Sequence, residues 1–364
     1  MNSDFLNKIK NYLCPPGNGV FTVHTAKENK ESLHTELYQT FDESEVNEMW
    51  IKSFSKLETN NLPCLLGITC DTGGGIQRGA NWGPLMIRSH IEHKADKYFD
   101  IGDIRTIPHL LHDKYLNKET IKNCQRSLYP SGESNLPVSA LSIAEDFSEE
   151  FHNFFPKKSL LCLGGDHSVS YPIVKSWINF KRKQNTKVAI VHFDAHTDLM
   201  SERLGVDICF GSWAYHMIEL LEKPDYLVQL GIRSSGQNKE YWENNLGVKQ
   251  YWANELTVKN SIAQEIIDNF KKEKIEEIYI SFDIDALDSE YASATGTPEK
   301  GGLAPHQCIY VIEELSKNFK ITGADLVEVA PFVQSNLKSN LSPEPHTTLQ
   351  SAQLIADKLL EVLS

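Results

Sequence analysis

The stretch VAIVHFDAHTDL (188–199) decides how this chain is read. A β-prone apolar run ends at Phe193, and Asp194, His196 and Asp198 follow at every second position. Residues i, i+2 and i+4 of extended backbone face one side, so the triplet would present two carboxylates and an imidazole to one place. Apolar runs of the same kind recur at 63–69 (PCLLGIT), 159–163 (SLLCL), 225–232 (DYLVQLGI), 276–282 (EEIYISF) and 321–329 (ITGADLVEV). Helix-like segments such as 169–183 and 258–274 separate them, and a last helix is predicted over 348–364. Strands that are apolar throughout and alternate with helices predict an α/β chain with a parallel sheet covered on both faces.

The polar clusters fall directly after these strands. GGDHS (164–168) follows SLLCL, DAHTD (194–198) follows VAIVHF, and DIDALD (283–288) follows IYISF. Ligands of open parallel sheets bind at the carboxyl ends of strands, so His167, Asp194, His196, Asp198, Asp283 and Asp285 are expected to converge. Four carboxylates placed together need neutralisation, by protons or by cations. Two divalent ions would provide it, with some carboxylates bridging; such pairs sit roughly 3.5–4 Å apart and make hydroxide available near neutral pH. Oxygen-rich ligation with two imidazoles fits manganese best, while zinc, iron, cobalt and nickel are compatible. Taken singly, DxHxD reads as a surface loop, GGDHS as a turn capped by Asp166 or Ser168, and DIDALD as an acidic turn or an incomplete calcium loop. Their joint position after three parallel strands selects the metal reading.

The remaining sequence narrows the class. A net charge of −13 argues against a nucleic-acid or anionic-membrane partner and suits a cationic small substrate. Hydrophobic residues at 40% provide for a packed core. Seven cysteines without a CxxC pair are expected to be free thiols in a reducing cytoplasm. No apolar leader and no apolar run approaching about 18 residues is present, so neither a secretory signal nor a membrane span is expected. Residues 1–58 read as an appended polar, helical segment and 59–364 as the catalytic domain. The segment 116–138 reads as a surface loop or short helix. GGGIQRGANWGP (73–84) lacks the GK[ST] of a phosphate loop and is expected to line a pocket, with Gly83-Pro84 opening a helix. HLLH (109–112) is expected to pack or face solvent, and Asp166 and Asp288 to support the site or its turns.

GGDHS, FDAHTDL, SFDIDALD, ATGTP (294–298) and VEVAP (327–331), in this order, together resemble the ureohydrolases, the arginase and agmatinase family. The Gly-rich 73–88 stretch, DIGDI (100–104), LGIRS (230–234) and the last helix are similar too, so the resemblance runs from about residue 64 to the C-terminus. It implies a three-layer α/β/α arginase-like fold with a mostly parallel sheet and a binuclear Mn²⁺ centre, in a homo-oligomer, trimeric or hexameric. By motif position, His167, Asp194, Asp198 and Asp283 would hold one ion and Asp194, His196, Asp283 and Asp285 the other. Glu328, in VEVAP, matches the carboxylate that binds the guanidinium. Asp198 would carry the proton from the attacking hydroxide to the departing amine. The implied activity is hydrolysis of a C–N bond in a linear guanidino or amidine compound, agmatinase-like or acting on a guanidino acid, with urea released. Formiminoglutamate hydrolase, arginase and a non-catalytic metal-bound ligand-binding member are the alternatives. A deacetylase of the shared fold would use a sparser ligand set.

Two departures bear on the substrate. Arginases and many agmatinases carry a His-Gly pair about a dozen residues after the DAHTD segment. Aligning Gly211 with that Gly puts Phe210 in place of the His, as in formiminoglutamate hydrolases, which also lack it; His216 reads as a helix residue. The arginase features that read an α-carboxylate and α-amine are not evident in LMSERLGVD (199–207) or IRSSG (232–236). Arg203 is the candidate to receive a substrate carboxylate, against an ordinary surface ion pair. Asp207 or Glu202 could instead receive a second amine.

Overall fold

The structure, a computed structural model, describes residues 8, 10–20, 26–57, 59–73, 77–91, 97–129, 135–256, 261–332 and 346–363. Among these, nine strands form one sheet: β1 (Leu13–Cys14), β2 (Cys64–Gly67), β3 (Phe99–Ile104), β4 (Leu160–Leu163), β5 (Val188–Phe193), β6 (Leu227–Ile232), β7 (Lys249–Trp252), β8 (Glu277–Asp283) and β9 (Lys320–Val327). Their order is β1-β3-β2-β4-β9-β8-β5-β6-β7. Every pairing is parallel except β1 with β3. All residues of β4, β5 and β6 are buried, which is why these strands read as continuous apolar runs. Helices cover the sheet on both faces: Ala140–Phe154 packs on Ser170–Lys183, and Pro305–Ser316 packs on both Ile262–Glu273 and His346–Val362. The three-layer α/β/α expectation is met, and the helices predicted over 169–183, 258–274 and 348–364 form at those places.

β1, β3 and β7 were not among the predicted runs, and their chemistry explains why. β3 carries Asp100 and Asp103, whose charges break the apolar pattern. Both are neutralised by the fully buried Arg88: Nε donates to Asp100 Oδ2 at 2.8 Å and Nη1 to Asp103 Oδ1 at 2.5 Å. β7 reads KQYW, and its buried Gln250 is satisfied by side-chain hydrogen bonds. The segment 116–138 contains the helix Lys118–Leu128, capped by Asn117 through the Thr120 N–H at 2.9 Å.

The N-terminal segment lies against the β3 edge. Leu13, Leu33, Trp50, Phe54 and Leu57 join the one hydrophobic core. The Trp50 indole donates to Ile101 O at 3.2 Å, and Asp103 Oδ2 accepts the Gly17 and Gly19 amides at 2.8 and 3.0 Å. No helix among the described residues is long and apolar enough to cross a membrane. All seven cysteines are unpaired, six of them buried.

Candidate metal centre

The four neighbouring central strands β4, β9, β8 and β5 end on the same side of the sheet, and each delivers polar groups there. After β4 the chain turns at Gly164-Gly165. A Cβ on Gly165 would lie 1.6 Å from the Cys70 carbonyl oxygen, so only glycine fits this close approach. Asp166 caps the short 3₁₀ turn His167–Val169 by accepting the Ser168 N–H at 3.1 Å, and it also accepts the Thr72 hydroxyl at 2.7 Å. β8 ends on Asp283, whose carboxylate caps the turn Ile284–Ala286 through the Asp285 N–H at 2.8 Å. Arg233, just past β6, clamps that turn by donating to the carbonyls of Asp285 at 2.7 Å and Leu287 at 3.0 Å.

The DAHTD segment differs from the expected extended strand. β5 stops at Phe193; Asp194 Oδ1 accepts the His196 N–H at 2.6 Å, and Asp198 has a left-handed φ of 50°. The three groups therefore do not line one face. His196 turns towards Asp285 and Asp198 towards His167, giving two adjacent clusters that share Asp194.

In the deeper cluster, His167 Nδ1 lies 3.1 Å from each of Asp194 Oδ2, Asp198 Oδ2 and Asp283 Oδ2. It is aligned as a hydrogen bond to none of them, although it is buried. Three carboxylate oxygens thus crowd equally close to a buried nitrogen that hydrogen-bonds none of them. The other ring nitrogen is committed elsewhere. The Ser281 hydroxyl donates to Asp325 Oδ1 at 2.8 Å, so its oxygen accepts from His167 Nε2 at 3.0 Å. Tyr279 donates to the second Asp325 oxygen at 2.9 Å. With Nε2 committed to Ser281, Nδ1 is the ring atom that faces the carboxylates. The Trp213 indole donates to Asp198 Oδ2 at 2.9 Å.

In the outer cluster, His196 Nδ1 lies 3.1 Å from Asp285 Oδ2 and 3.4 Å from Asp194 Oδ1. Asp285 accepts the Ala195 N–H and the Thr297 hydroxyl, both at 3.1 Å. His196 is half-buried whereas the other five residues are buried, so the outer cluster is the side open to solvent.

The electrostatics state the same need for positive charge. Burial raises the Asp283 carboxyl well above the usual range, and Asp285 and Asp194 raise it further. Burial followed by the Asp194 charge also raises Asp198. Against the effect of burial, the adjoining imidazoles of His167, His192 and His196 hold Asp194 low. Both imidazoles are pushed up against the effect of burial: His167 by Asp194, Asp198 and Asp283, and His196 to about 12 by Asp285 and Asp194. Such a cluster could hold cations, and the orphaned Nδ1 among three carboxylate oxygens suits a divalent ion with mixed imidazole and oxygen ligation. Ser281→Ala should weaken divalent-ion binding about 10- to 100-fold, because it releases the His167 ring; competition with a chelator measures this.

Glu328 immediately follows β9 with φ 64°, a left-handed non-glycine residue at the rim of the cluster. Its N–H donates to Gly165 O at 2.7 Å, and its Oε1 accepts the His167 N–H at 2.9 Å. Burial, then the nearby Asp166, raises its carboxyl well above the ordinary value.

The loop after Asp198 is arranged differently from the cluster. Arg203 is exposed, with its guanidinium 4.9 Å from the centre of the Phe210 ring. Asp207 is engaged by Lys114 Nζ at 2.5 Å and by the Tyr115 hydroxyl, and Glu202 is exposed. His216 contacts the Asp207 carbonyl at 2.7 Å. His112 of HLLH faces Glu145 at 3.4 Å, and Asp288 accepts the Glu290, Gly301 and Gly302 amides in a turn.

Sequence reading missed His192, Trp213, Ser281, Asp325 and Arg233. For His192, Ser281 and Asp325 a signal exists: each is a polar residue inside an otherwise apolar strand, which demands a buried partner. Trp213 and Arg233 carry no such signal, since neither lies inside an apolar strand.

A profile of the arginase family matches residues 63–360. A mitochondrial agmatinase of Gallus gallus is 32% identical over 271 residues, 73% of each chain. A guanidinobutyrase of Pseudomonas aeruginosa is 35% identical over 278 residues, covering 73% of this chain and 78% of that one. Among solved structures, a proclavaminate amidino hydrolase from Streptomyces clavuligerus superposes with a TM-score of 0.62 at 23% identity, over 83% of this chain and 92% of that one.

Proposed function

This chain belongs to the arginase family, and from that premise we propose that it is a Mn²⁺-dependent hydrolase that cleaves a C–N bond of a small linear guanidino compound and releases urea. The observation that carries the reading is the His167 Nδ1 atom, buried, without an aligned hydrogen bond, and 3.1 Å from three carboxylate oxygens. His167, Asp194, Asp198 and Asp283 would hold one ion; Asp194, His196, Asp283 and Asp285 would hold the second. Bound there, two divalent ions supply Lewis acidity that makes water a nucleophile near neutral pH.

The protein groups do the rest. Glu328 binds the guanidinium through charge-assisted hydrogen bonds and sets its carbon against the cluster. Its left-handed backbone and its bond to the His167 amide fix the carboxylate in place. Asp198 takes the proton from the attacking water and delivers it to the departing amine, while the Trp213 indole holds its Oδ2. The half-buried His196 marks the side from which substrate enters.

The tail of the substrate is read by the loop after Asp198. Arg203, placed over Phe210, suits a carboxylate-ended guanidino acid better than an amine-ended one. Asp207 is already paired with Lys114, which argues against its receiving a second amine. Arg203→Ala should therefore raise KM for guanidinobutyrate by up to about fivefold, the value of one exposed charge pair, and leave KM for agmatine unchanged. A second reading, hydrolysis of formiminoglutamate, is favoured by Phe210 at the position of the family's relay histidine. A Mn²⁺-loaded panel of arginine, agmatine, guanidinobutyrate, formiminoglutamate and guanidine, with urea and formamide assayed separately, decides between them. Urea from a guanidino acid supports the first reading; formamide alone supports the second; neither product from any compound sinks both.

A further inference from the structure

A row of buried amides crosses the sheet to the cluster. His192 and Gln229 are register partners across β5 and β6, and Gln229 and Gln250 are partners across β6 and β7. All three are fully buried. Trp252 Nε1 donates to Gln250 Oε1 at 3.0 Å, and Gln250 Nε2 donates to Gln229 Oε1 at 2.8 Å. Gln229 Nε2 donates to the Thr197 carbonyl at 2.6 Å and meets His192 Nδ1 at 2.9 Å. His192 Nε2 meets Asp194 Oδ2 at 2.8 Å.

The direction of this row is forced at both ends. An indole N–H can only donate and a carbonyl can only accept. Flipping Gln250 would set its NH₂ against the Trp252 N–H; flipping Gln229 would set its oxygen against the Thr197 carbonyl. Gln229 therefore offers a donor to His192, whose Nδ1 accepts and whose proton sits on Nε2, aimed at Asp194. The ring plane is held edge-on to Trp213 at 4.8 Å and to His167 at 5.0 Å between centroids. His192 lies within the deeper cluster, yet both of its nitrogens are committed, so it has no lone pair for an ion.

We propose that Trp252, Gln250, Gln229 and His192 form a one-way hydrogen-bond row that fixes the His192 tautomer and thereby positions the shared carboxylate of Asp194. His192 is then a positioning residue and not an ion ligand. The proposal rests on the two-ion reading for its consequence, but its geometry is a property of the metal-free chain.

Metal-free, full-length protein labelled with [¹⁵N]histidine reports the tautomer directly by long-range proton–nitrogen correlation. The His192 signals are assigned by their loss in His192→Phe. The expected result is a single Nε2–H tautomer in the wild type and a mixture in Gln229→Leu. Gln229→Leu should also bind Mn²⁺ about 10- to 100-fold more weakly, with the number of ions at saturation unchanged. Trp252→Phe, at the half-buried outer end, should weaken Mn²⁺ by only about threefold, since Thr197 still orients Gln229. It stands in if Gln229→Leu fails to fold by near-ultraviolet circular dichroism. A wild-type Nδ1–H tautomer, or unaltered Mn²⁺ affinity in the folded variants, overturns the row. Wild-type protein that binds no Mn²⁺ would overturn the two-ion reading, while the tautomer would still decide the row.

Discussion

Asp283→Asn should lower kcat/KM by at least about a thousandfold while making the metal-free protein more heat-stable, the first from losing several kcal/mol of ion-supplied stabilisation. Both effects come from one fact: the Asp283 carboxylate is buried beside Asp285 and Asp194, and the His167 imidazole 3.1 Å away offsets only part of that cost. Burial and those neighbours raise its folded pKa above the unfolded value. Such a group costs stability once pH exceeds the unfolded carboxylate range near 4, because folding then places a charge where charge is disfavoured. Asparagine removes that cost and keeps the shape, so the metal-free Tm should rise by a few degrees. It also removes an oxygen from both proposed ion sites, so the Tm gain that Mn²⁺ gives the wild type should largely disappear. Thermal scans with and without Mn²⁺ measure both.

The same cluster sets the pH dependence. His196, raised to about 12 chiefly by Asp285 and Asp194 against burial, contributes stability that is complete below its unfolded value near 6.5. That contribution is lost as pH rises towards 12, and Asp283 acts in the same direction. Metal-free protein should thus lose stability from pH 6 to pH 8. Mn²⁺ competes with protons for the same atoms, so its binding tightens over that range. The gap in Tm between loaded and metal-free protein should widen with pH; a gap that narrows would contradict the assignment of these residues as ligands.

Glu328→Gln is the second large effect, with a different signature. Removing one charge from a buried, hydrogen-bonded cation–carboxylate pair costs about 2–4 kcal/mol, a loss of roughly 30- to 1000-fold in kcat/KM. Glutamine still accepts the His167 amide through its oxygen, so the backbone around the cluster is preserved. Mn²⁺ content should therefore match the wild type. Equal loss of activity and of Mn²⁺ would make Glu328 a structural group and not a guanidinium binder.

How much of this was legible in the chain depends on where each residue finds its partner. β4, β5, β8 and β9 are buried on both faces, so their apolar runs stand out, and the polar residues at their ends stand out against them. β3 hides because Asp100 and Asp103 are neutralised by Arg88, which precedes them on another element. β7 hides because Gln250 is satisfied by Gln229 and Trp252 and needs no apolar side chain. Strand alternation anticipated the convergence of Asp194, His196 and Asp198 but not its form. The turn at Asp194 and the left-handed Asp198 split the triplet between two clusters. The parts that hold the ligands, Ser281 with Asp325 and His192 with Gln229, depend on register between strands distant in sequence, which no local pattern encodes.

The central claim is that six side chains hold two divalent ions. It is tested most directly by the Mn²⁺ content of the saturated, dialysed protein. Two ions per chain is the predicted result; one ion or none would contradict it.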